Sequence, residues 1–139
     1  VDDGDDTNNV DLYDKLDPSI KPLLKEVTIA CNDGRSNPTA KHEYTAHMFL
    51  ASATEVGFDV SGWAYPDSYT AEGTCFDLFT AEDSSRTGFM STANISSYWW
   101  LRSASSDLDY FCFYVYTSGI AALSGSQGEC VVVPTFVIG

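Results

Sequence analysis

The chain has 139 residues, 44% hydrophobic and 14% aromatic, enough apolar content for one globular domain with its own core. Its 20 acidic and 7 basic residues give a formal net charge of −13, a sign that repels phosphate and makes nucleic acid and anionic membrane surfaces poor partners. No apolar run reaches the ~18–20 residues of a membrane-spanning helix, so no membrane insertion is expected.

Acid is concentrated at the start. Asp2, Asp3, Asp5, Asp6 and Asp11 fall within residues 1–11, which have almost no apolar content and read as a solvated flexible tail. The cluster Asp2-Asp3-Gly4-Asp5-Asp6 could attract Ca²⁺, but it lacks the spaced ligands and distal Glu of an EF-hand loop. Val1 in place of an initiator Met points to a processed product or to one domain of a longer chain.

Residues 12–139 read as a single domain. Asp17 and Pro18 suit a helix start, and Ile20, Leu23, Leu24 and Val27 form an i, i+3, i+4, i+7 stripe. This predicts a core-packing helix, with Pro22 shifting its start. Residues 32–38 form a turn-rich loop. His42 and His47 have no zinc spacing and read as incidental. Residues 48–51 predict a short buried strand, 52–56 a turn, and 57–69 a long ordered loop. Residues 73–79 predict a helical turn with Phe76 and Phe79 facing inward.

From residue 98 the pattern becomes strand-like. Residues 98–102 predict a buried aromatic strand, and 111–116 and 120–123 predict a hairpin turning at Thr117-Ser118-Gly119. Residues 131–133 and 136–138 predict a final strand interrupted at Pro134. Helices first and an antiparallel sheet later make the expected class α+β. Cys31, Cys75, Cys112 and Cys130 are spread out with no CxxC pair, and they read as free buried thiols. Cys112–Cys130 is the one disulfide that strand neighbours would allow.

Between the aromatic block at 98–103 and the apolar block at 131–138 lies a run rich in Tyr, Ser, Asp, Gly, Ala and Thr. Tyr, Ser and Gly are also the residues that antibody-type loops use for contacts of low entropic cost. Trp99 and Trp100 cannot share one strand face, so at least one belongs to the core. Arg102 is expected to pair with a buried acid such as Glu55, and Tyr110, Tyr114 and Tyr116 are expected to act as interface anchors.

Five segments occur in order: Phe49-Leu50-Ala51-Ser52-Ala53-Thr54-Glu55-Val56, then 73–79, then Trp99-Trp100-Leu101-Arg102-Ser103, then 115–119, then 132–138. Together they resemble an uncharacterised domain family of gut bacteria and their phages, and the variable proteins of diversity-generating retroelements. Ala104 stands where the wider family carries Pro, and Val133-Pro134 where it carries Arg-Pro. The resemblance implies a C-type-lectin-like fold, with one or two helices on a small twisted antiparallel sheet and long ordered loops. It implies a non-enzymatic display domain on a phage particle or bacterial surface. The ligand-binding positions would be Ser105, Ser106, Asp107, Asp109, Tyr110, Tyr114, Tyr116, Thr117, Ser118, Ile120, Ala122, Leu123, Ser124 and Ser126. The implied partner is a protein or glycan on a host or target cell, alongside other phage structural proteins.

Two alternatives follow. One is a capsid or tail decoration domain without a ligand of its own. The other is an enzyme related to formylglycine-generating enzymes, whose chemistry needs a placed reactive cysteine pair or metal site. The sequence has no GxSxG elbow, no metal-spaced His/Cys group and no Gly-rich phosphate loop, so no catalytic residue, metal ligand or cofactor is assigned.

Overall fold

A computed structural model describes residues 13–32, 41–58, 72–105, 111–125 and 129–139. After a 3-10 turn at Lys21–Leu23, the elements are β1 (Leu24–Lys25), β2 (Val27–Asn32), β3 (Lys41–Ala46) and β4 (Phe49–Leu50). Helix α1 (Asp83–Thr92) follows, then β5 (Trp99–Ala104), β6 (Phe111–Val115), β7 (Ala121–Gly125), β8 (Pro134–Thr135) and β9 (Val137–Ile138). The strands form a three-stranded antiparallel sheet, β5-β6-β7, and three two-stranded ribbons, β1-β9, β2-β3 and β4-β8.

Strand β5 flanks β6 in this sheet, and its alternation is strict. Trp99, Leu101 and Ser103 are buried, while Trp100, Arg102 and Ala104 lie half-buried on the other face. Phe113 and Val115 of β6 and Ala121 of β7 continue the inner face. Along the edge of β5 away from β6, the Trp100 N–H donates to the Val131 carbonyl and the Arg102 N–H to the Ala51 carbonyl. Helix α1 brings Met90 and Phe89 onto the core, where Phe89 meets Phe79 edge-on at 5.3 Å between ring centres. Val56, Ala53 and Ala51 complete the core from the 51–58 segment.

The expected α+β, C-type-lectin-like arrangement is overturned. The described residues are 13% helix and 37% strand, with a single α-helix in the middle of the chain and small antiparallel sheets on either side. The helix expected after Asp17 is a 3-10 turn that opens into β1 and β2. Pro22 removes an N–H from that segment, and pairing with the chain's end and with β3 supplies the backbone bonds instead. Asp17 does accept, but locally, from the Ser19 N–H at 2.8 Å and the Ser19 hydroxyl at 2.6 Å. Residues 73–79 form no helix. One turn bond runs from the Phe79 N–H to the Phe76 carbonyl, and both rings face the core as expected.

The end of the chain does not form one strand broken at Pro134. Val131 bridges Trp99, Pro134 sits in β8 opposite Leu50, and β9 pairs β1, so three neighbours share it. The expected acidic tail, the bulk of the 32–38 loop and nearly all of the 57–69 loop lie outside the described residues.

Candidate functional site

Two arginines with buried side chains tie these short elements together. Arg102 lies on the outer side of β5, and its fork meets the Glu55 carboxylate at 2.5 and 2.8 Å. Its remaining donors reach the carbonyls of Ala30 at 3.0 Å and Leu50 at 2.9 Å. Glu55 is held by the tight turn after β4, where its second contact is the Ser52 N–H at 3.0 Å. Fully buried Glu72 lies beside this pair, accepting from the Asn32 N–H at 2.6 Å and from the Ser103 hydroxyl. The cluster thereby joins β2, the 51–58 turn, residue 72 and β5. Burial pulls the Arg102 pKa down, but the Glu55 hydrogen bond and charge outweigh it, leaving a net upward direction.

Arg86 of α1 forms a second clamp, one that no sequence expectation included. It is almost wholly buried against the Phe58 ring at 4.1 Å. It donates to the carbonyls of Gly119 at 2.6 Å, Val56 at 3.0 Å and Thr80 at 3.0 Å, and to Asp83 at 2.5 Å. Gly119 has φ +84, and a Cβ there would collide with the Asp83 carbonyl oxygen, so the β6-β7 turn presses directly on the helix start. Both guanidiniums are occupied by the chain's own acceptors. They hold the scaffold together rather than a ligand.

The outer side of the sheet carries a different group. Trp100 stands opposite Tyr114, which stands opposite Ala122. Tyr98, just before β5, stacks on Tyr116 at 4.7 Å with 17° between the rings and lies 5.5 Å from Tyr114. Trp100 meets Tyr114 edge-on at 6.2 Å. Four aromatic rings thus run along one face from the hairpin end. The Tyr98 phenol is held above its ordinary pKa, first by its hydrogen bond with Tyr116 and then by that neighbour's charge. Tyr116 is 37% exposed, and Thr117, Ser118 and Ile120 continue the exposed rim at the turn.

The structure divides the predicted ligand-binding set. Tyr114, Tyr116, Thr117, Ser118, Ile120, Ala122 and Ser124 lie on the outer face or its tip. Ser105 does not: it is buried, and its N–H closes onto the Phe111 carbonyl at 2.8 Å. Leu123 points the other way, opposite Phe113, and packs on the core. Ser106, Asp107, Asp109, Tyr110 and Ser126 lie outside the described residues. Tyr98 and Trp100 were missed as members of this face, although their spacing of two, shared by Tyr114 and Tyr116, is the signal that places such pairs on one strand face.

The four cysteines are free, but none is the buried thiol expected: Cys75 is exposed, and Cys31, Cys112 and Cys130 are half-buried. Among the described residues no group of three or more His, Cys, Asp or Glu gathers as a metal site. His47 stacks on Tyr13 at 4.9 Å. No helix among the described residues is long and apolar enough to cross a membrane.

Compared with known proteins, the chain matches no curated protein and no solved structure. Residues 8–139 match the profile of a domain family of unknown function, DUF6273. With the match covering both arginine clamps and the whole aromatic face, the chain belongs to the DUF6273 family.

Proposed function

We propose that the chain is a non-enzymatic binding domain whose outer β5-β6 face recognises a protein or glycan on a cell surface. The observation that carries this reading is the row Tyr98, Trp100, Tyr114 and Tyr116, whose rings lie on the side of the sheet away from the core. Aromatic side chains offer large, rigid contact area with a polar edge at low entropic cost, and they dominate the energetics of interfaces. Three of the four carry hydroxyls, and the exposed turn at Thr117 and Ser118 adds adaptable polar groups beside them. The resemblance to the variable proteins of diversity-generating retroelements supports the same reading, because the hairpin falls in the segment those proteins diversify. Display on a phage particle or bacterial surface fits such a domain.

The test is binding of the fluorescently labelled chain to intact gut-bacterial cells, compared with the combined Tyr98→Ala, Tyr114→Ala, Tyr116→Ala variant. Loss of cell binding by a variant that keeps its circular dichroism spectrum is the expected result. Protease or glycosidase treatment of the cells distinguishes a protein receptor from a glycan. Equal binding by the variant would remove this face from the account.

A further inference from the structure

The aromatic row stands among small side chains and carries no charge of its own. Tyr114 pairs with Trp100 on one side and with Ala122 on the other, so its neighbour toward β7 is a single methyl group. The next pair along, Cys112 with Ser124, is small as well. Within the described residues 98–105 and 111–125, Arg102 is the single charged side chain. Its guanidinium is already bound to Glu55 and to the Ala30 and Leu50 carbonyls.

These features choose among ligand classes. The chain's formal net charge of −13 repels anions, and the face holds no free cation among its described residues to offset that field. A specific protein interface takes about 20–30 residues a side, far more than a row of rings between small side chains and one exposed turn. A saccharide matches the chemistry and the size. Its C–H groups carry slight positive charge and settle on the negative face of an aromatic ring, while its hydroxyls exchange hydrogen bonds at the ring's polar edge. Tyr98, Tyr114 and Tyr116 each supply such an edge, and Thr117 and Ser118 add hydroxyls at the turn. Trp100 and Tyr114 are inclined by 77° and Tyr98 and Tyr114 by 47°, so the rings face different directions, which suits successive units of a sugar chain.

We infer that the ligand of this face is an uncharged glycan, an inference that rests on the binding role proposed above. Tyr114 is the stacking residue, Ala122 leaves space beside its ring, and the neighbouring phenols bind sugar hydroxyls. Anionic polysaccharides are rejected by the field of the chain.

The test is binding of the labelled chain to intact gut-bacterial cells with soluble polysaccharide from the same cells as competitor, split by anion exchange into an uncharged and an anionic fraction. The uncharged fraction should compete, and should stop competing once periodate has cleaved its vicinal diols. The anionic fraction should not compete. Tyr114→Leu, apolar but without a π face, should bind the uncharged fraction at least about tenfold more weakly, whereas Tyr114→Phe keeps most of the affinity. Competition by the anionic fraction, or by neither, overturns the inference. So does a Tyr114→Leu variant that binds as tightly as Tyr114→Phe. If neither fraction competes but the combined Tyr98→Ala, Tyr114→Ala, Tyr116→Ala variant still loses cell binding, the face stands and its ligand is a protein. If that variant binds cells as the parent chain does, the face itself is wrong.

Discussion

A guanidinium carries five N–H donors and no acceptor, so burying one requires the chain to supply several oxygens in the right places. Arg102 receives them from Glu55, Ala30 and Leu50, drawn from three separate segments. Removing one partner of a buried pair leaves the other charge unsatisfied, which is why Arg102→Ala is expected to cost about 3–5 kcal/mol in equilibrium urea unfolding. Arg102→Lys should recover only part of this, because a single ammonium cannot reproduce the fork. A loss below 1 kcal/mol would mean that the clamp is not structural. The thiols give a second reading at this scale. Burial raises Cys31 and Cys112 above the ordinary value of 9.0, with Tyr44 and Glu72 also acting on Cys31 and Glu72 on Cys112. Both bind their protons more tightly folded than unfolded. Their stabilising contribution is therefore full below pH 9.0 and lost as pH rises through the raised folded values. Iodoacetamide at neutral pH should label exposed Cys75 first, with Cys31 and Cys112 following only on alkaline loosening. Equal labelling of all three by mass spectrometry at pH 7 would contradict the partial burial of Cys31 and Cys112.

At the scale of elements, the β6-β7 hairpin depends on its turn. Gly119→Ala puts a Cβ against the Asp83 carbonyl at a positive φ, so a loss of at least about 1–2 kcal/mol is expected in the same unfolding measurement. A neutral result would show that the turn relaxes away from α1. This hairpin was legible in the sequence, since alternating apolar residues flank Thr117-Ser118-Gly119. So were the β5 strand and the Arg102 pairing with Glu55, because an arginine in a buried strand needs an acid to pair with. Helix α1 was not legible. Its inward positions are Arg86, Phe89 and Met90, at i, i+3 and i+4, and a charged residue on the inward stripe hides the helical period from a hydrophobic reading. The opposite error occurred at residues 20–27, where a true 3.6-residue stripe was outcompeted by long-range pairing that local sequence does not encode. The candidate face was half legible. Tyr114 and Tyr116 announce themselves, but Tyr98 and Trp100 join them only through the β5-β6 register.

Across the whole molecule, the apolar cluster lies on the inner side of β5-β6-β7 and the two arginine clamps tie β5 and α1 to the segments beside the sheet, while the aromatic row lies on the outer side, among Tyr98, Trp100, Tyr114 and Tyr116. A scaffold closed by internal acceptors can tolerate change on the side it does not use. That separation is open to a direct test: protease resistance of a surface-displayed library with every substitution at residues 98–125. The account predicts that Tyr98, Tyr114, Tyr116, Thr117, Ser118 and Ile120 accept most residues and stay folded. Trp99, Leu101, Arg102, Phe113, Val115 and Gly119 should accept few. If substitutions at the first group unfold the chain as often as those at the second, the outer face belongs to the scaffold, and the assignment of recognition to it is wrong.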